Sequence, residues 1–137
     1  MSGHLNSKYS EPIRAAFANS KTVDDVTKLM ESFTSAVKEG KEKEKGWPRA
    51  AYAVSKSGVT GMTKAIAVEH QREGGKVLIN SCCPGFVNTD MTKNRGPKTA
   101  DQGAQTPVLL AAGNIKDVSG KFWQHEKIVD WELSSRM

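Results

Sequence analysis

The chain has 137 residues, of which 37% are hydrophobic and 26% are charged, and only 5 are prolines. This is the composition of an ordinary soluble globular domain, and it excludes a chain that is disordered throughout. The net charge of +5 arises from segments of mixed sign, which argues against a nucleic-acid-binding surface.

The N-terminal residues contain no apolar run of the kind that a secretory signal requires. The longest apolar stretches elsewhere are too short to span a bilayer. Cys82 and Cys83 are adjacent, so in a strand they point to opposite faces and are poorly placed to bridge each other. The three histidines are scattered, which argues against a metal site. Reduced thiols and the missing signal predict a cytoplasmic protein without a membrane partner.

Two amphipathic helices are predicted first. One runs from Ser10 to Asn19, with Ser10 as its N-cap and Pro12 in its first turn. The next runs from Thr22 to Gly40 and carries one apolar face at helical spacing, formed by Val26, Leu29, Met30, Phe33 and Val37. The alternating Lys/Glu run of residues 38–45 that follows is interpreted as a solvated helix end or linker.

A third helix is predicted over residues 50–72, and a strand over residues 76–83. The consecutive apolar residues 77–79 are typical of a strand that is buried on both faces of a parallel sheet. A fourth helix from Asp101 to Ala112 and a last strand over residues 119–125 complete the order.

This order of helices and strands predicts an α/β fold. Two strands cannot bury the apolar faces of four helices, and a typical sheet has about five or six strands. We therefore expect the remaining strands of the sheet to come from outside this chain.

Tyr52 and Lys56 stand four residues apart in the third predicted helix, so their side chains share one helix face. A cation beside a tyrosine stabilises the phenolate and lowers the pKa of the phenol, which makes it a usable general acid nearer neutral pH. Gly58 and Gly61 follow on the same helix. Because a glycine inside a helix costs about 1 kcal/mol relative to alanine, they indicate that something packs closely here. The alternative interpretation is a tyrosine at the edge of the core beside a solvated lysine.

A second candidate feature follows the strand predicted over residues 76–83. Pro84 and Gly85 end the strand, and Thr89 comes four residues after Gly85. Ligands of open α/β sheets bind outside the carboxyl ends of the strands, where the Val87 backbone and the Thr89 hydroxyl would suit an amide or a phosphate. The alternative interpretation is a turn without a ligand.

Together, these two features resemble the short-chain dehydrogenase/reductase family. Further segments are similar to the carbonyl reductases of that family: Gly46-Trp47-Pro48, the stretch Asn80–Met91, Gly103–Pro107, Gly120–Trp123 and a helical insertion over residues 9–45. The resemblance spans nearly all of the chain. It implies the C-terminal part of a single Rossmann-like domain with a doubly wound parallel sheet.

The resemblance also implies an activity, the NADPH-dependent reduction of ketones, aldehydes or quinones to alcohols. Tyr52 would be the proton donor, and Lys56 would lower the pKa of Tyr52 and bind the nicotinamide ribose. The cofactor-binding residues would be Tyr52 and Lys56 together with the turn residues Pro84, Gly85, Val87 and Thr89. Trp123 and Phe86 are apolar candidates near the pocket, and we expect both to belong to the core.

Several elements of the family have no counterpart in the sequence: the glycine-rich phosphate loop, the first strands and an asparagine of the central strands. Ser2 is the nearest candidate for the catalytic serine, which we expect to precede Met1. The choice of substrate and of phosphorylated cofactor depends on the absent half. We expect a complete enzyme to be monomeric and the fragment to associate. The alternative function is a non-catalytic, reductase-derived fragment that acts as an interaction module.

Overall fold

The computed structural model describes residues 4–132. Two capped helices come first, α1 (Glu11–Asn19) and α2 (Val23–Lys38). Ser10 accepts a hydrogen bond from the Ile13 amide, and Thr22 exchanges hydrogen bonds with Asp25 in a capping box. Both helices therefore begin where the cap residues predict, because a cap satisfies amides within its own first turn.

The long helix α3 (Ala51–Arg72) packs against α2. Its two interior glycines face the first two helices, Gly58 toward α2 and Gly61 toward α1. A Cβ atom on Gly58 would lie 2.8 Å from the Met30 sulfur, and one on Gly61 would lie 3.3 Å from the Phe17 ring. The close packing that these glycines predict is confirmed, since a Cβ atom at either position would require the neighbouring side chain to shift.

Phe17 is the centre of an aromatic core. It is fully buried and meets three rings edge to face, with centroid distances of 6.4 Å to Tyr9, 6.2 Å to Trp47 and 5.9 Å to Trp131. Edge-to-face pairs stabilise a core beyond the area that they bury. This core joins α1 to the segment before α3 and to the end of the described chain.

The sheet has three short strands, β1 (Ser81–Cys83), β2 (Phe122–Gln124) and β3 (Lys127–Val129). β1 and β2 are parallel, and helix α4 (Ala100–Ala112) lies between them in the chain. β2 and β3 are antiparallel, so the sheet is mixed, in contrast to the parallel sheet that was predicted. The α/β class and the parallel pair agree with the prediction.

The strand predicted over residues 76–83 is wrong in its first half. Val77 is 64% exposed, and its amide donates to the His70 ring, while the Ile79 amide donates to the Ser119 hydroxyl. Among the described residues no strand pairs with the other edge of β1. Without a strand on that side, the apolar residues 77–79 have no second sheet neighbour that would bury them.

The strand predicted over residues 119–125 is also shorter, and β3 was not predicted. His125 and Glu126 form the two-residue loop between β2 and β3, with φ of 51° and 60°. Two positive φ values are typical of a type I′ hairpin turn, which usually contains Asn or Gly. Neither residue is of that kind, so the sequence offers no hairpin signal. None of the helices in residues 4–132 is long and apolar enough to cross a membrane.

The central position of Phe17 leads to a stability prediction. Phe17→Ala should lower the free energy of unfolding by about 3–5 kcal/mol, because it removes a fully buried ring and leaves a cavity. Phe86→Ala is the matched control, since this ring is 54% exposed, and it should change stability by less than about 1 kcal/mol. Urea unfolding of both variants measures the difference, and equal losses would contradict the assignment of Phe17 to the core.

Candidate active site

Tyr52 and Lys56 lie on the exposed face of α3. The opposite face, which includes Val54, Ser57 and Gly58, is buried. The Tyr52 side chain is 57% exposed, and the Lys56 ammonium lies 5.5 Å from the centroid of its ring, within the range of a cation–π contact. Within residues 4–132, no hydrogen bond involves the Tyr52 hydroxyl or the Lys56 ammonium. Both groups are therefore open to a molecule that binds here.

The turn after β1 is held by a lysine that the sequence did not single out. Gly85 has a φ of 86°, in the region that favours glycine, and a Cβ atom there would lie 3.0 Å from the Lys98 ammonium. The Lys98 ammonium donates to the Pro84 carbonyl oxygen at 3.2 Å and lies 3.1 Å from His125 Nδ1. Lys98 therefore ties this turn to the β2–β3 loop.

The backbone of Lys98 also holds the next residues of the turn. Its amide donates to the Phe86 carbonyl oxygen at 3.3 Å, and its carbonyl oxygen accepts from the Asn88 amide at 2.8 Å. These bonds form an isolated parallel β-bridge between Val87 and Lys98. The Val87 amide itself has no acceptor in the described part of the chain. An unpaired amide of this kind can donate to a bound carbonyl group.

Thr89 caps a short 3-10 helix, Asp90–Thr92. The Thr89 amide donates to Thr92 Oγ1 at 3.0 Å, whereas the two hydroxyl oxygens are 3.5 Å apart. The Thr89 hydroxyl is therefore only weakly engaged and lies on an exposed residue, two positions after the free Val87 amide.

The structure gathers the predicted site residues into two groups. Tyr52 and Lys56 form one group, and the turn residues 84–89 around Lys98 form the other. No hydrogen bond within residues 4–132 joins the two groups. Lys98 was missed because its contact with Pro84 spans fourteen residues and leaves no local pattern.

The two aromatic candidates differ in their surroundings. Trp123 is buried, as expected, and its Nε1 donates to Asn80 Oδ1 at 3.4 Å. Phe86 was expected in the core but is exposed, because the turn that carries it projects beyond the end of β1. Ser2, the candidate for the catalytic serine, lies outside the described residues.

The described residues show no metal cluster and no phosphate loop. Residues 4–132 bring together no group of three or more His, Cys, Asp or Glu side chains. The connection from β1 to α4 contains the Val87 bridge and the 3-10 helix in place of a glycine-rich phosphate-binding turn.

The contacts of Lys98 lead to a prediction about the turn. Lys98→Met should speed hydrogen exchange of the Asn88 amide by about 2- to 10-fold, because the turn loses the bonds to Pro84 and His125. Lys93→Met is the matched control, since Lys93 lies in the same loop and makes no side-chain hydrogen bond within the described part. Exchange measured by NMR distinguishes the two variants. Equal rates in both would show that Lys98 does not hold the turn.

Comparison with known proteins identifies the family. The model of the short chain dehydrogenase family matches residues 33–100. Carbonyl reductase [NADPH] 1 of Mus musculus is 40% identical over 114 residues, which are 80% of this chain and 41% of the mouse protein. Carbonyl reductase [NADPH] 3 of Rattus norvegicus is 40% identical over 105 residues, covering 74% of this chain and 38% of the rat protein.

A solved structure gives the same result for the fold. Salutaridine reductase from Papaver somniferum superimposes with a TM-score of 0.72 at 25% identity, covering 89% of this chain and 46% of that enzyme. The chain spans about two fifths of the length of the curated relatives described above. On these likenesses, the chain belongs to the short-chain dehydrogenase/reductase family and is of its carbonyl reductase type.

Proposed function

We propose that this chain carries the proton-donating part of an NADPH-dependent carbonyl reductase. Tyr52 donates a proton to the carbonyl oxygen of a ketone, aldehyde or quinone, and Lys56 stabilises the phenolate that remains. The observation that carries this proposal is the exposed pair itself. The Lys56 ammonium lies 5.5 Å from the centroid of the Tyr52 ring on one face of a helix, and neither polar end has a hydrogen-bond partner in residues 4–132.

The chemistry of the pair supports these roles. A phenol that gives up its proton becomes negatively charged, and an adjacent ammonium favours the charged form. Their exposure leaves room for a carbonyl oxygen to approach Tyr52. The buried face of α3 meanwhile restrains the backbone that carries both side chains, which favours a fixed donor position.

NADPH is the cofactor given in the names of the carbonyl reductase relatives. The hydrogen-bond donors of this chain fit part of that molecule. We assign the ribose hydroxyls to Lys56, which has three hydrogens to donate. The free Val87 amide and the weakly engaged Thr89 hydroxyl suit the nicotinamide carboxamide. Pro84 and Gly85 shape the turn that presents them. When bound, NADPH supplies the hydride.

The missing phosphate site leads to a prediction for the isolated chain. We expect the 137-residue polypeptide to bind NADPH weakly or not at all, because the described residues contain no glycine-rich phosphate loop that leads into a helix. Titration of tryptophan fluorescence with NADPH measures binding. A saturable quench at micromolar NADPH would contradict this expectation.

The catalytic roles are testable in a chimera that joins this chain to the part of mouse carbonyl reductase 1 that it does not match. The chimera should oxidise NADPH with a quinone or an aldehyde, followed at 340 nm. Tyr52→Phe should lower kcat by about 10²- to 10⁴-fold, the usual contribution of a general acid. Lys56→Met should lower it by about 10- to 100-fold, because an interaction with a charged group is lost. Lys38→Met, an exposed lysine of α2, is the control and should leave kcat unchanged.

A folded chimera that binds NADPH but keeps its activity in Tyr52→Phe would refute the proposed proton donor. A folded chimera that binds NADPH but reduces no carbonyl would refute the reductase function of this half.

The second candidate function is an interaction module without catalysis. The observation in its favour is a set of exposed apolar side chains along α3 and the segment before β1, namely Val59, Ile66, Val68, Val77 and Leu78. The unpaired edge of β1 adds a row of backbone groups that could pair with another strand. An interaction module predicts that the isolated chain forms a stable complex with another protein. The reductase function instead predicts that the chimera reduces a quinone or an aldehyde with NADPH.

A further inference from the structure

Helix α3 begins without a side-chain cap. Ala50 occupies the N-cap position and has no side-chain oxygen to accept from the first amides, and the first turn contains no acidic residue. Tyr52 is the second residue of this helix. An uncapped first turn leaves amides unsatisfied and tends to fray, so a proton donor placed there needs another restraint.

A buried hydrogen-bond relay reaches this first turn from the helical insertion. The Tyr9 phenol, 3% exposed, lies 2.9 Å from the Ser57 hydroxyl oxygen, and Ser57 donates to the Ala53 carbonyl oxygen at 3.2 Å. Tyr9 is the donor in the arrangement in which the Ser57 hydrogen points to Ala53, and the Ser57 oxygen is then the acceptor. Burial also raises the pKa of Tyr9, so the phenol keeps its proton for this bond at neutral pH.

The relay ends beside both residues of the exposed pair. Ala53 directly follows Tyr52, and Ser57 directly follows Lys56. At its other end, the Tyr9 ring packs edge to face against Phe17 and against Trp47 at 6.3 Å. The relay therefore joins the aromatic core to the one turn of α3 that carries both functional side chains.

We propose that Tyr9 is a positioning residue, which holds the Tyr52–Lys56 turn through Ser57 at a helix start that has no side-chain cap. This proposal rests on the proposed function of the pair, but its structural claim concerns the free chain. Tyr9 touches no reacting atom.

The test compares the full chain with Tyr9→Phe by NMR, without cofactor or substrate. Tyr9→Phe keeps the ring and removes only the hydroxyl. We expect the amide hydrogens of residues 54–57 to exchange about 3- to 10-fold faster, while those of α2 keep their rates. We also expect the ring-current shift that the Tyr52 ring imposes on the Lys56 ε-methylene protons to decrease, which a general loss of stability would not produce.

Ser20→Ala is the matched control. Ser20 is also a buried hydroxyl of the insertion, but it donates to Ala16 at the end of α1. It should leave residues 54–57 and the Lys56 resonances unchanged.

Unchanged exchange and an unchanged Lys56 shift in Tyr9→Phe would overturn the proposal. The same holds if the acceleration is uniform along the chain or equal in Ser20→Ala. Since no catalysis is measured, an inactive chimera would count against the proposed function and not against the relay.

Discussion

The aromatic core around Phe17 is the constraint on which the rest of the structure depends. Three rings meet Phe17 edge to face, and two glycines of α3 let α1 and α2 approach the helix backbone. Because one face of α3 is occupied in this way, the residues a half-turn away point outward. Tyr52 and Lys56 are therefore exposed as a direct result of how α1 and α2 pack against α3.

The sheet side of the molecule is built differently. Its three strands have three residues each, and the edge of β1 pairs with nothing among the described residues. Apolar residues before β1 stay exposed for the same reason. The chain spans about two fifths of its curated relatives, and the helical side is the better-packed part of what it contains. The described residues thus contain the Tyr52–Lys56 pair but no glycine-rich phosphate loop.

The turn after β1 is held in place by hydrogen bonds from Lys98. Lys98 contributes its amide, its carbonyl and its ammonium to the same turn, and the third of these also reaches His125. The Val87 amide takes no part in the bridge between Val87 and Lys98, and it has no acceptor in the described part of the chain. In the proposed reductase, a free donor in a held turn is what a neutral carboxamide requires.

The sequence alone determined the starts of the first two helices, the span of α3 and the pairing of Tyr52 with Lys56, because caps and helical spacing act within four residues. It also predicted the parallel pair of strands. The length of β1, the β2–β3 hairpin and the contacts of Lys98 and Tyr9 were decided by the tertiary structure. A strand extends only where a neighbour pairs with it, and the Tyr9–Ser57 bond joins residues 48 positions apart, so neither leaves a local pattern to be read.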